Sequence, residues 1–361
     1  MGGAGQEGWL RIAAGASEVA LDPAIGNIRR FRVRGREIFH TAHWVGTPAA
    51  EQADSAVDAG LAGDFLAAPF GSSDLLDDPP HGWSANSPWH VTSRAQDAGS
   101  AVLCLTLGAR VMGARVTKEV RLRSGESVLY QCHGIADGAG VLPVAHHPMF
   151  RLAPGDAITF SPKRAALTAG PPLAARHGLA YPARTADPRV FPAAAGGTRD
   201  LTRYPDAGRE EDFVTLVEAE GARLGWTALL RRQAGDLLVI LKEARILPVT
   251  MLWISDGGRD HAPWDGRHAG VLAVEDGVTA GAQGHRAAAE GGSAVAREGV
   301  ATGLVLAEGR QHRIRHAIAV LDPPEGFGPV TEVVLASGRL VAADAAGRSA
   351  ATAFAPGFFA I

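Results

Sequence analysis

A chain of 361 residues, 46% of them apolar and 20% charged, can bury a sizeable core and lacks the composition of a disordered segment. Its formal net charge of -3 offers no basic footprint for nucleic acid and no polybasic patch for a membrane surface. No run approaches the ~18 apolar residues of a membrane helix, and MGGAGQEGW at the start lacks the basic and apolar regions of a secretory signal. A cytoplasmic, soluble protein is expected.

Along the chain, short apolar or alternating runs are punctuated by Gly, Pro, Asp and Asn. Val33-Arg34-Gly35-Arg36 separates two such runs as a hairpin turn. Strands are predicted over 101–108, 116–123 and 127–135, with Arg123-Ser124-Gly125-Glu126 as the turn between the last two. Four more runs lie between Phe213 and Ser255, divided at Glu220-Gly221, at 233–236 and at Leu247-Pro248. A strand over 270–274 leads into Glu275-Asp276-Gly277, and the remainder supplies runs at 303–307, 312–320, 330–335 and 340–343. Helical pattern is confined to 51–61 and 283–290. Strands at roughly ten-residue spacing without alternating helices predict an all-β fold, a large antiparallel β-sandwich with few short helices. With no linker and no repeat, 1–361 reads as one domain. The irregular stretch 170–206 is long enough to cover a site.

Two cysteines, Cys104 and Cys132, sit in separate strand-like runs and read as buried, reduced residues. The basic residues are overwhelmingly arginine, with Lys118, Lys163 and Lys242 the only lysines, a bias read as genomic rather than functional. No His, Cys or acid spacing reproduces a recognised metal motif, so no metal and no cofactor are called.

Polar and aromatic residues gather in three segments: Gly63-Asp64-Phe65 through Trp89, Leu142 through His146-His147-Pro148-Met149-Phe150, and Trp253 through Asp276. Loops on a rigid sheet are where function concentrates. Rings beside acids and imidazoles suit sugars, whose C–H faces stack on aromatics while their hydroxyls need donors and acceptors. Side chains alternate along a strand, so one of His146 and His147 should point inward. Glu275 ends an apolar run, where a carboxylate is costly unless paired or wet.

On these residues the chain resembles the aldose 1-epimerase (galactose mutarotase-like) family over roughly 19–320. His81-Gly82 followed by Trp89 looks like the family's His-Gly signature with its downstream Trp. His147-Pro148-Met149-Phe150 looks like its His-x-x-Phe segment, and Glu275 matches its general-base glutamate. One departure stands out: better-known members carry an Asn-Arg pair where this chain has Ala68-Pro69-Phe70-Gly71, with Arg259 or Arg267 as replacements.

The resemblance implies anomer interconversion of a free monosaccharide. Glu275 would take the proton of the anomeric hydroxyl, His147 would protonate the ring oxygen, and His81 would hold a hydroxyl or that oxygen. Asp64, Trp89, His146, Trp253 and Arg267 are the expected sugar contacts. Glu275 as carboxylate would face His147 as imidazolium, the two on opposite sides of the sugar. A small-molecule sugar is the expected partner. Two further readings are a non-catalytic carbohydrate-binding or sensing protein, and a lyase or hydrolase, the latter needing a second carboxylate. Asp276 does not supply that group, because it points to the opposite face from Glu275.

Overall fold

The computed structural model describes residues 8–205 and 208–359. Residues 1–7, on which the expectation about a leader mainly rests, and Asp206, at the end of the long irregular stretch, lie outside the described residues.

Two eight-stranded antiparallel sheets form the body of the protein. The first runs, in spatial order, Ala183–Thr185, Lys163–Thr168, Glu211–Glu218, Val249–Ser255, Val271–Val278, Val144–His146 and Leu66–Ala67, with Met149–Arg151 also paired to Val271–Val278. The second runs Ala157–Phe160, Leu224–Arg231, Asp236–Glu243, Gln311–Leu321, Val128–Ala136, Arg115–Arg123, Ser100–Leu107 and Trp89–Gln96. Their facing sides interdigitate through Leu216, Ile240, Leu252, Leu272, Val274 and Ile318.

Burial explains why strands of the two sheets look different in sequence. Ser100–Leu107 and Arg115–Arg123 alternate buried with partly or fully exposed residues, because one of their faces meets solvent. Val249–Ser255 and Val271–Val278 are buried at every position, covered on one side by the other sheet and on the other by the loops of 38–88. A third sheet, Val330–Ala336, Arg339–Asp344 and Ser349–Ala353, covers the outer face of the second sheet through Leu340 and Phe354. An N-terminal four-stranded sheet contributes Val19, Leu21 and Phe31 to the main core.

The all-β prediction therefore matches the architecture. The hairpin turns fall where expected, with Arg34 and Gly35 both at positive φ, as a tight turn between right-twisted strands requires. Among the described residues, helix is limited to Ala56–Ala59, Gly284–Glu290 and short 3-10 turns. No helix among the described residues is long and apolar enough to cross a membrane. Both cysteines are unpaired, and they are half-buried rather than buried.

One boundary differs in a way that matters. Glu275-Asp276-Gly277 reads as a strand end, yet the ladder continues from Val271↔Ser255 to Gly277↔Val249. Asp276 does not stop the strand, because its carboxylate points between the sheets and meets Lys242 at 3.0 Å and the Thr250 hydroxyl at 2.7 Å.

Candidate active site

Strand alternation sorts the chemistry of the first sheet into two compartments. On its outer face, Met251 lies opposite Glu275 and Trp253 opposite Ala273 in the ladder. On its inner face, the neighbours Thr250 and Asp276 point into the sandwich. His146 and His147 divide the same way: His146 is wholly buried between the sheets, while His147 lines the outer cleft.

That cleft, about 550 Å³, is lined by His81, His147 and Glu275 together with Phe70, Phe213, Trp253, Trp264 and Arg259. Pro171, Pro172 and Leu173, from the start of the long irregular stretch, form part of its wall. The volume falls within the range of small-molecule sites.

Each imidazole is held by rings. His147 stacks on Phe65 at 4.5 Å with planes 16° apart, and His81 meets His147 edge-on at 5.1 Å. His81 also sits edge-on to Phe65 and Phe70. The backbone there is demanding, with His81 at φ 61 and Gly82 at φ 70. A Cβ on Gly82 would lie 1.9 Å from the Ala68 carbonyl oxygen, so only glycine fits and the His-Gly pair has a steric reason.

Nε2 of His147 lies 3.1 Å from Oε1 of Glu275, both side chains being almost fully buried. This corrects the expectation that a sugar separates them: the two groups touch, on one wall of the cleft. Their charge state is corrected too. Burial pushes the Glu275 carboxyl well above the usual carboxylate range, opposed by the Arg259 guanidinium. Burial, with His81 nearby, lowers His147 to about 3. Loss of hydration also lowers His81. Both shifts favour the uncharged forms, so burial works against a resting carboxylate facing a resting imidazolium.

An acid that the sequence does not single out stands beside the cleft. Glu211, buried at the start of its strand, accepts from Trp253 Nε1 at 2.6 Å and Ser255 Oγ at 3.0 Å, and pairs with Arg259 Nε at 3.0 Å. The Arg259 guanidinium lies over Trp264 at 4.2 Å and Trp253 at 5.3 Å. Arg259 is therefore the arginine in the cleft, while Arg267 is exposed and outside it. The Gly258-Arg259 turn and the Trp264 nearby were visible signals. Glu211 had none, being one of three consecutive acids before a strand.

Three other expected sugar contacts are also corrected. Trp89 is a core residue, its ring under Lys118 and its Nε1 donating to the Ser84 carbonyl. His146 and Asp64 are buried behind the cleft. Asp64 accepts the backbone N–H of His147 at 3.0 Å and the Gln131 amide at 2.5 Å, so it positions His147 from behind. Burial by itself would raise Asp64, but His146, His316 and Gln131 bring its carboxyl down to about 2. Trp253 does line the cleft.

Asp64, His146 and His316 place donor atoms within 4.8 Å of one another, a grouping that could hold a metal. Its geometry fits poorly. The His146 and His316 rings stack at 4.1 Å and 12°, so their in-plane lone pairs lie in near-parallel planes and cannot meet at one ion without rotating. The surrounding charge is already balanced: Asp64, Asp276 and Glu218 face Lys118, Lys242 and Lys163.

No family model matches the sequence, and no curated protein matches it. Solved structures do. A protein of Escherichia coli K12, provisionally named an aldose 1-epimerase, superimposes with a TM-score of 0.57 over 86% of this chain and 98% of its own, at 15% identity. A galactose mutarotase related enzyme of Lactobacillus acidophilus gives 0.52 over 86% and 97%, at 10% identity. A galactose mutarotase-like protein of Clostridium acetobutylicum gives 0.52 over 86% and 94%, at 12%. The chain has the galactose mutarotase-like fold, and at these identities the likeness speaks for the fold alone.

Proposed function

We propose that this protein is an aldose 1-epimerase-like enzyme that interconverts the anomers of a free monosaccharide. The observation that carries the reading is the convergence of His81, His147 and Glu275 on one cleft whose walls offer Trp253, Trp264 and Arg259.

The chemistry follows from the pair in contact. In a pyranose the anomeric hydroxyl and the ring oxygen are bonded to the same carbon, so an acid and a base can serve both from one side. With the sugar seated, O1–H donates to Glu275 and the ring oxygen accepts from His147. These bonds favour the carboxylate and imidazolium form of the one-proton pair. Glu275 takes the O1 proton as His147 delivers its own to the ring oxygen; the C1–O5 bond breaks and the open aldehyde forms. Rotation about C1–C2 followed by the reverse transfers closes the ring as the other anomer. No net proton is gained or lost. His81 supplies a polar contact at the edge of the pair, and the tryptophans supply faces for the sugar's C–H surface. Paired acid and base action of this kind is worth about 10²–10⁴ in rate.

The decisive experiment follows freshly dissolved α-D-glucose and α-D-galactose by polarimetry or NMR exchange. Acceleration over buffer by catalytic amounts of protein supports the reading. Sugar binding without acceleration would instead identify a carbohydrate-binding protein, a role compatible with the absence of arginine from 68–71.

A further inference from the structure

Resting on that reading, we infer that the cleft discriminates by charge: it takes uncharged or amino aldoses and rejects sugars bearing phosphate or carboxylate. The argument is an inventory of the charged groups on its walls. Besides Glu275, the described lining residues include two acids, Asp54 and Asp58, and one cation, Arg259. Asp54 is exposed and Asp58 half-buried, and neither has an ion-pair partner among the described residues. Asp58 keeps its place by accepting the Ser55 hydroxyl at 2.7 Å.

Arg259 offsets them only in part, because the Glu211 carboxylate it binds cancels its charge. Its Nε is committed to the buried Glu211, and its planar group lies over two indole rings. Recognition of a phosphate or carboxylate calls for an arginine fork or a row of unpaired backbone N–H groups. Beside the cleft, the N–H groups at the start of Gly284–Glu290 are met by an acid of the protein itself, Asp74 accepting the Arg286 N–H at 2.8 Å. The walls thus hold their own anions wherever an anionic sugar would seek a cation. Like charges set against one another at a recognition site cost enough to suppress binding at least ~10-fold.

Matched sugar pairs separate charge from stereochemistry. Anomer exchange and binding are measured for glucose, galactose and mannose against their 6-phosphates, with glucuronate and protonated glucosamine alongside. The expected result is a kcat/KM or affinity at least ~10-fold lower for each phosphate than for its parent, with glucosamine at least equal to glucose. In the wild-type protein 0.5 M NaCl should narrow the gap, because exposed carboxylates are screened. Asp54→Asn/Asp58→Asn should narrow it at low salt, chiefly by strengthening binding of the phosphates. A 6-phosphate handled as well as its parent would overturn the inference even if anomer exchange is confirmed. If no sugar is turned over, the function reading fails separately and the binding arm decides the charge claim. Failure of every neutral sugar to bind counts against it as well.

Discussion

The two faces of the strand Val271–Val278 hold almost the same chemistry and put it to opposite uses. Outward, Glu275 meets His147 at 3.1 Å in a cleft. Inward, Asp276 meets His316 at 3.1 Å, with Lys242 at 3.0 Å and Thr250 at 2.7 Å completing its shell. The inner carboxylate is held far below the usual range by Lys242 and His316, which outweigh the burial that would raise it. The outer one, with only Arg259 against its burial, is pushed well above that range. On the proposed function, what separates the structural acid from the reactive one is the number of fixed partners and access to a ligand, not the residue type.

That contrast can be broken or sharpened by experiment. The largest effect belongs to the outer face: His147→Asn should lower kcat for anomer exchange by ~10²–10⁴ with the melting temperature nearly unchanged, as kinetics beside calorimetry will show. On the inner face, Lys242→Met should cost about 3–5 kcal/mol in urea denaturation, because it removes the ammonium that two buried carboxylates share. Turnover per folded molecule should survive it.

Acid tests the buried imidazoles of both faces next. His40 and His146 are both held near 4, by burial first, against 6.5 in the unfolded chain. Between those values the unfolded chain binds more protons, so stability falls as the pH drops from about 6.5 and the loss levels off below about 4. For His146 alone this is on the order of 3 kcal/mol, measurable as a declining denaturation midpoint. A stability flat from pH 7 to 4 would contradict the burial of neutral imidazoles. The smallest effect is Arg259→Gln. Loss of the cation that opposes the upward shift of Glu275 should move the basic limb of the kcat/KM profile to higher pH.

Much of the fold was legible, since alternation and turn residues locate the strands from Ser100 to Ala136 and from Glu211 to Ser255. The short strands around His146 were not, because three-residue ladders leave no period to read. For the site, alternation correctly splits His146 from His147 and Glu275 from Asp276, and the tryptophan-rich segment does bring Trp253 and Trp264 to the cleft. Asp64, Trp89 and Arg267 carry suitable chemistry but the wrong direction, and direction depends on long-range packing that local sequence does not encode. The three lysines are the clearest missed signal. In a chain that otherwise uses arginine, all three have buried ammonium ends, Lys118 over the Trp89 ring and Lys163 and Lys242 on Glu218. A compact ammonium fits between the sheets where a guanidinium fork would not.

The account rests most directly on adjacent residues of one strand, and a paired comparison tests it. Glu275→Gln and Asp276→Asn are each purified, their folded fractions determined, and anomer exchange measured per folded molecule. The prediction is that Glu275→Gln folds with wild-type stability and loses at least ~100-fold in rate, whereas Asp276→Asn loses stability and keeps its rate. Full activity in Glu275→Gln, or equal loss of rate in both, would contradict the assignment of the chemistry to the outer face.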